Sequence, residues 1–210
     1  MADQSDESPD DPGPRWASPG EFGEPAATDA RTGVATPLLA GFSIALLAGI
    51  TQSPTSFRWP GPAIFVLVLT VGLFVISLQV GFRSRGKLYS RDDALSWGRI
   101  NDLPADEAEA FKAKVQRHHI EVWRQAQRTV RLSYNAGIST LGIAVSLVAA
   151  PPTANGTATV PMAEQSWRWL AFAMGLLLTG LEIGWIARDE VIYRRLLRTA
   201  TGRALREPTP

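Results

Sequence analysis

The chain has 210 residues, 45% of them apolar, a formal net charge of +1 and no cysteine. Lack of cysteine excludes a disulfide framework, a thiolate metal site and a cysteine nucleophile. Apolar content of this size also suits one soluble domain, so the class is decided by how the apolar residues cluster rather than by how many there are.

Residues 1–28 hold Pro9, Pro12, Pro14, Pro19 and Pro25 among many acids and few large apolar groups. Such a segment buries too little surface to offset its chain entropy, which predicts a disordered acidic cytoplasmic tail. It lacks the basic start and apolar core of a secretory signal, so no cleavage is expected. Four apolar stretches follow, at 33–50, 62–80, 132–150 and 169–187. At 1.5 Å per residue each spans roughly 27 Å, close to the ~30 Å hydrocarbon core of a bilayer. The predicted fold is therefore all-α, a four-transmembrane-helix bundle made of two hairpins. The first, 33–82, has spans at about 33–51 and 61–82, and the second, 132–187, has spans at about 132–150 and 167–187. Thr36-Pro37 near the start of span one implies either a cap followed by a first-turn proline or a kink. Pro54, Pro60 and Gly61 make the turn at 51–61 short and tight.

Between the hairpins, 83–131 is expected to be a cytoplasmic helical loop. Ser90 followed by Asp93 resembles a capping box that opens a short helix through about Trp97. Leu95 and Trp97 would rest on the bilayer interface. Asp102 and Pro104 start a stronger helix, with Asp106, Glu107 and Glu109 in its first turns, where the helix dipole favours negative charge. Nothing breaks it before span three, so 105–150 reads as one rod of roughly 70 Å, continuous with the third span. On its first half Phe111, Val115, His118, Val122, Ala126 and Thr129 or Val130 recur at helical spacing. Such a stripe needs a partner. The short preceding helix, the C-terminal helix, a second copy and a cytoplasmic protein docking on 105–130 all remain open. The last segment, 188–210, is a basic C-terminal helix or tail whose Arg194, Arg195, Arg198 and Arg203 suit an anionic inner leaflet.

Charge sorting sets the expected orientation. Of the 21 Lys and Arg, only Arg58 and Arg168 lie in the two connections inside the hairpins. By the positive-inside rule both termini and the middle loop are cytoplasmic, in a multi-pass protein of the plasma (inner) membrane. Phe57, Trp59, Trp167 and Trp169 gather at the outer ends of spans two and four, with Tyr134 and Trp185 at inner ends. Trp59, Trp167, Trp169 and Trp185 are the expected interfacial anchors. Asn155-Gly156-Thr157 matches a glycosylation sequon in an outward loop.

Glu182 is the one acid or base well inside a span, and a carboxyl at membrane depth is costly unless neutral, paired or wet. It lies about 9 Å inside the boundary counted from Arg188, while Gln79 and Asn135 lie about 6 Å inside, counted from Arg83 and Arg131. Glu182, Gln79 and Asn135 therefore form a candidate intramembrane polar layer. Its readings are interhelical hydrogen bonding, a carboxyl that reaches water or an inner arginine, or the lining of an ion or proton path. Gly180 and Gly184, with Gly175 one further turn away, allow close helix packing. Gly180 and Gly184 lie about 160° around the helix from Glu182, so two faces of span four carry contact chemistry, which favours self-association. Gly41 with Ala45, and Gly142 with Ser146, point the same way.

His118 and His119 are adjacent, so their side chains diverge by about 100° and do not form an i, i+4 metal pair. No triad, nucleophile elbow or phosphate loop is present, so no catalytic, cofactor or metal site is expected and the chain reads as non-enzymatic. Arg117, Arg124 and Arg128 with Trp123 suit interfacial anchoring better than nucleic acid, which is not an expected partner. The runs ATPLLAGFS, QVGFRSRGKLYS and LEIGWIARDE resemble small four-pass integral membrane proteins of GC-rich actinobacteria. That resemblance implies a bacterial plasma membrane. By analogy with small multipass effectors of bacterial immunity, the expected function is to couple a cytoplasmic signal to membrane permeability as a self-associating pore. The alternatives are a scaffolding subunit that anchors a partner protein and a small transporter or ion-conducting subunit.

Overall fold

The computed structural model describes residue 16 and residues 24–96, 104–152 and 161–204, with the side chains of Glu24 and of 193–204 left aside. The sequon at 155–157, Trp97 and Asp102 lie outside the described residues, as does most of the acidic tail. Every regular element among the described residues is helical: α1 (Glu24–Ala30), α2 (Thr36–Gln52), α3 (Pro60–Arg85), α4 (Arg91–Ser96), α5 (Ala105–Ala149) and α6 (Met162–Ala204). Among the described residues four helical stretches are long and apolar enough to cross a membrane: Pro25–Gln52, Pro60–Arg85, Ala105–Ala149 and Met162–Ile192.

Helix boundaries extend past the apolar runs because polar flanks continue a helix at little cost once it is nucleated. The first helical stretch begins at Glu24, inside the segment expected to lack structure and nine residues before the expected span. It passes through a π-helical turn, Arg31–Ala35, that leads directly into Thr36-Pro37. A proline cannot donate to the carbonyl four residues back, and a widened turn before it accommodates the ring. Of the two readings of Thr36-Pro37, distortion within a longer helix is the one found. The Ala105–Ala149 helix has 45 residues without interruption, as its capped start and unbroken sequence predict.

The chain divides into two compact units, Met1–Ala35 with Ser77–Arg131, and Thr36–Ile76 with Leu132–Pro210. In the first, the descending end of α3, the linker and α4 run along α5 as a polar zipper. Ser77 Oγ donates to Val130 O at 3.3 Å, Gln127 Nε2 to Ser84 Oγ at 3.2 Å, Gln116 Nε2 to Tyr89 O at 3.4 Å and Lys112 Nζ to Leu95 O at 3.4 Å. Arg91 closes the far end on Glu109 at 2.9 Å. The capping box forms as read: Ser90 N donates to Asp93 Oδ2 at 2.9 Å and Asp93 N to Ser90 Oγ at 3.1 Å.

This zipper corrects the expected stripe on α5. The residues taken inside are Ala113, Gln116, Ile120, Trp123 and Val130; of the expected stripe Val130 is among them, Val115, Val122 and Ala126 are half-buried, and Phe111, His118 and Thr129 are exposed. The buried face is rotated by about one residue, or 100°, from the predicted one. Trp123 is the largest fully buried side chain and anchors that face. Two glutamines on it have partners in the preceding segment, so apolar periodicity alone misplaces it.

The same unit pins α1 to the end of α3. Gly81 is required there, since a Cβ at this position would lie 2.7 Å from Thr32 Cγ2. Arg85 Nη2 donates to Thr32 Oγ1 at 3.2 Å, and Arg85 Nε lies 3.0 Å from the Asp29 carboxylate, close enough for an ion pair but not aligned as a hydrogen bond.

In the second unit the core is Ala40, Ile50, Ala63, Leu67, Phe74, Leu141 and Ala144, drawn from α2, α3 and α5. Phe74 fits over Gly137, where an added Cβ would come within 2.6 Å of its ring, and meets Tyr134 at 6.2 Å between ring centroids. Thr70 and Thr140 bring their hydroxyls to 2.8 Å across the α3–α5 contact. One hydroxyl donates to the other, and the acceptor of that bond donates to a carbonyl of its own helix.

Candidate functional site

The residues that carry chemistry in the second unit lie where α5 and α6 cross. Small residues set this crossing. Gly142 faces Thr179 and Gly175 faces Ser146, so that a Cβ on Gly142 would overlap the threonine hydroxyl and one on Gly175 would lie 2.5 Å from Ser146 Oγ. Each hydroxyl donates to the carbonyl four residues back on its own helix: Ser146 to Gly142 O and Thr179 to Gly175 O, both at 2.8 Å. Their polar groups are satisfied without leaving the contact, and the bare glycines let the backbones approach.

Beside the crossing, Ile138, Ser139, Gly142, Leu178, Thr179 and Glu182 line an open groove of about 390 Å³. Pairing 142 with 179 in an antiparallel register sets Ser139 level with Glu182, with Asn135 one turn further along α5. Glu182 is exposed and has no hydrogen bond or ion pair with any described residue. Asn135, half-buried, and Gln79, exposed, likewise make no side-chain hydrogen bond among the described residues. Within the second unit, therefore, Asn135 and Glu182 do not hydrogen-bond to each other. Gln79 belongs to the first unit, whereas Asn135 and Glu182 belong to the second.

The three packing glycines separate into two kinds. Gly175 is used within the chain, and so are Gly142 and Ser146, which the sequence offered as a self-association pair. Gly180 and Gly184 are exposed, and a Cβ on either meets nothing within 4 Å. They share a helix with Leu170, Met174, Leu177, Leu181 and Trp185, all exposed. Only 6% of the most apolar part of this helix is buried, against 28% for α3 and for α5.

Near the other end of α6 the tryptophans cluster. Trp59, Trp169 and Phe172 stand edge-on or tilted to one another, with centroids 5.5 to 6.5 Å apart. The Arg58 guanidinium lies 5.3 Å from the Trp59 ring and 5.2 Å from the Trp169 ring. Trp167 and Trp185 stand apart from this cluster, 69% and 71% exposed. The sequence placed Trp59 and Trp169 at one level but gave no sign of the arginine against them, because a rotamer choice, not a spacing, puts it there.

In the first unit Tyr89 Oη and His119 Nδ1 are 2.8 Å apart, and burial raises the Tyr89 phenol above its ordinary pKa. Trp16, from the acidic tail, donates to Glu109 Oε1 at 3.3 Å beneath the Arg91 guanidinium. The Arg91 hydrogen bond is the main cause holding the Glu109 carboxyl below the usual carboxylate range. No group of three or more His, Cys, Asp or Glu suited to a metal ion occurs among the described residues. No protein-family model matches the chain, and neither the curated proteins nor the solved structures include a match to it.

Proposed function

We propose that this chain is a non-enzymatic, multi-pass plasma-membrane protein that self-associates through α6 and couples a cytoplasmic event to membrane permeability. The observation that carries this reading is Glu182: a carboxylate within the apolar part of α6, exposed, without a partner among the described residues, and lining an open groove together with Ser139 and Thr179. A carboxyl in hydrocarbon without water or a partner is unfavourable by several kcal/mol. In an assembly built through the Gly180 and Gly184 face, the opposite face of α6 with its groove is free to border a wet path shared by several copies, which relieves that cost. The sorting of nineteen Lys and Arg against two supports cytoplasmic termini and a cytoplasmic 83–131 segment.

Self-association is tested by cross-linking, which the absence of native cysteine makes clean. Gly184→Cys in native membranes is expected to yield a disulfide-linked dimer under mild oxidation, while Phe65→Cys, on an exposed face of α3, yields none. Equal, trace cross-linking at both positions contradicts the reading. A scaffolding role is the second reading, favoured by Phe111, which stands exposed on α5 outside the zipper. Recovery of a stoichiometric partner that Phe111→Asp releases, without membrane leakage, would establish it in place of the pore.

A further inference from the structure

Arg58 and Arg168 are the two basic residues in the connections within the hairpins, and they differ in one respect. Arg168 is paired with Glu164 at 3.2 Å, one turn away on α6. Arg58 has neither a hydrogen bond nor an ion pair with any described residue. Its Nε is buried against the ring cluster without a partner, while its terminal nitrogens are open. Trp59 and Trp169 hold the guanidinium at 5.3 and 5.2 Å from their centroids, and Phe172 buttresses both rings, 5.8 and 5.5 Å from them. Cation–π contact of this kind restrains a guanidinium that would otherwise sweep a wide volume, so little further entropy is lost when it binds an anion. A planar fork with open N–H groups matches two oxygens of a phosphate. The surrounding tryptophans are the residues that settle at headgroup level.

We propose that Arg58 is a phosphate clamp: held against Trp59 and Trp169, it takes the phosphate of a glycerophospholipid headgroup in the leaflet facing away from the arginine-rich segments. This assignment rests on the membrane-spanning reading above. A lipid phosphate, rather than free phosphate, is the expected anion because the flanking rings offer an apolar floor for the glycerol and upper acyl carbons. Bound there, the lipid phosphate supplies the anion that no described side chain provides.

The test uses the full chain, purified in a phosphate-free maltoside and titrated with phosphatidylglycerol, with bound lipid counted by native mass spectrometry. The unaltered protein is expected to retain lipid, Arg58→Gln to bind it about tenfold more weakly, and Arg168→Gln to bind as the unaltered protein does. Arg58→Lys keeps the charge but loses the fork and the stacking, and is expected to fall between; it also serves if Arg58→Gln does not fold. Equal retention by the unaltered protein and both Arg58 variants overturns the clamp. Displacement of lipid by millimolar inorganic phosphate overturns the lipid assignment in favour of a free-phosphate site. Alkaline carbonate extraction of the same variants separates the two failures. Protein that leaves the membrane pellet refutes the membrane reading, whereas protein that stays while lipid retention is unchanged refutes the clamp alone.

Discussion

Gly142 of α5 lies so close under Thr179 of α6 that no side chain fits between them, and four residues away Ser146 lies over Gly175 in the reciprocal arrangement. Two helices joined this way approach through backbone and hydroxyls rather than through large apolar side chains. Such a contact does not depend on exclusion of water, which is the condition a helix pair meets in lipid.

Gly142→Ala is expected to destabilise the α5–α6 contact by about 1–3 kcal/mol, the usual cost of overpacking, and Thr179→Ala in the same chain to restore much of it. Thermal unfolding in detergent checks both. Gly180→Ala and Gly184→Ala meet nothing within the chain and are expected to leave the monomer within about 0.5 kcal/mol. If either lowers the oligomer fraction on sizing columns while monomer stability holds, the exposed face of α6 is the one that meets a second copy.

Trp123→Ala is expected to cost about 3–5 kcal/mol of local stability, since its ring is 1% exposed and removal leaves a cavity along the zipper. Phe111→Ala, from the stripe that apolar periodicity selected, is expected to change stability little. Hydrogen exchange of the amides in 105–131 distinguishes them, and the opposite ranking would restore the predicted face.

How much of this was legible in the sequence depended on which force set each feature. The number of long apolar helices and the capping box at Ser90 and Asp93 rest on local rules, and they read through. The long α5 follows from the absence of breakers and was equally open. The buried face of α5 was not, because Gln116 and Gln127 point inward to partners 27 and 43 residues away that no periodicity encodes. The glycines illustrate both cases: Gly175 was found as a packing residue, but its partner Ser146 was assigned to contact with another copy. For Glu182 residue counts set only an expected depth, whereas its lack of a hydrogen bond to Asn135 depends on how α5 and α6 are rotated within their unit. The contact of Arg58 with both tryptophan rings was outside the reach of spacing altogether.

The tail contact should respond to pH. The Arg91 hydrogen bond is the first cause of the lowered Glu109 pKa and the Trp16 hydrogen bond a smaller one, so a state in which Glu109 has lost both contacts binds more protons across the lowered range than the docked one. Docking is then fully stabilised above the ordinary carboxylate range and is lost as pH falls through the lowered value. The fluorescence of Trp16, taken as the difference between the unaltered chain and Trp16→Phe, is expected to shift toward the solvent-exposed spectrum in that acid window. Glu109→Gln should weaken docking and remove the pH dependence. An identical acid transition in Glu109→Gln would assign it elsewhere.

Membrane permeability through a path that includes Glu182 is the central claim, and ion flux into proteoliposomes reconstituted with the full chain tests it most directly. The unaltered protein is expected to collapse an imposed potassium diffusion potential, and Glu182→Gln, folded and equally incorporated, to slow that collapse severalfold. Vesicles that hold their potential with the unaltered protein present, or flux indifferent to Glu182→Gln, would contradict it.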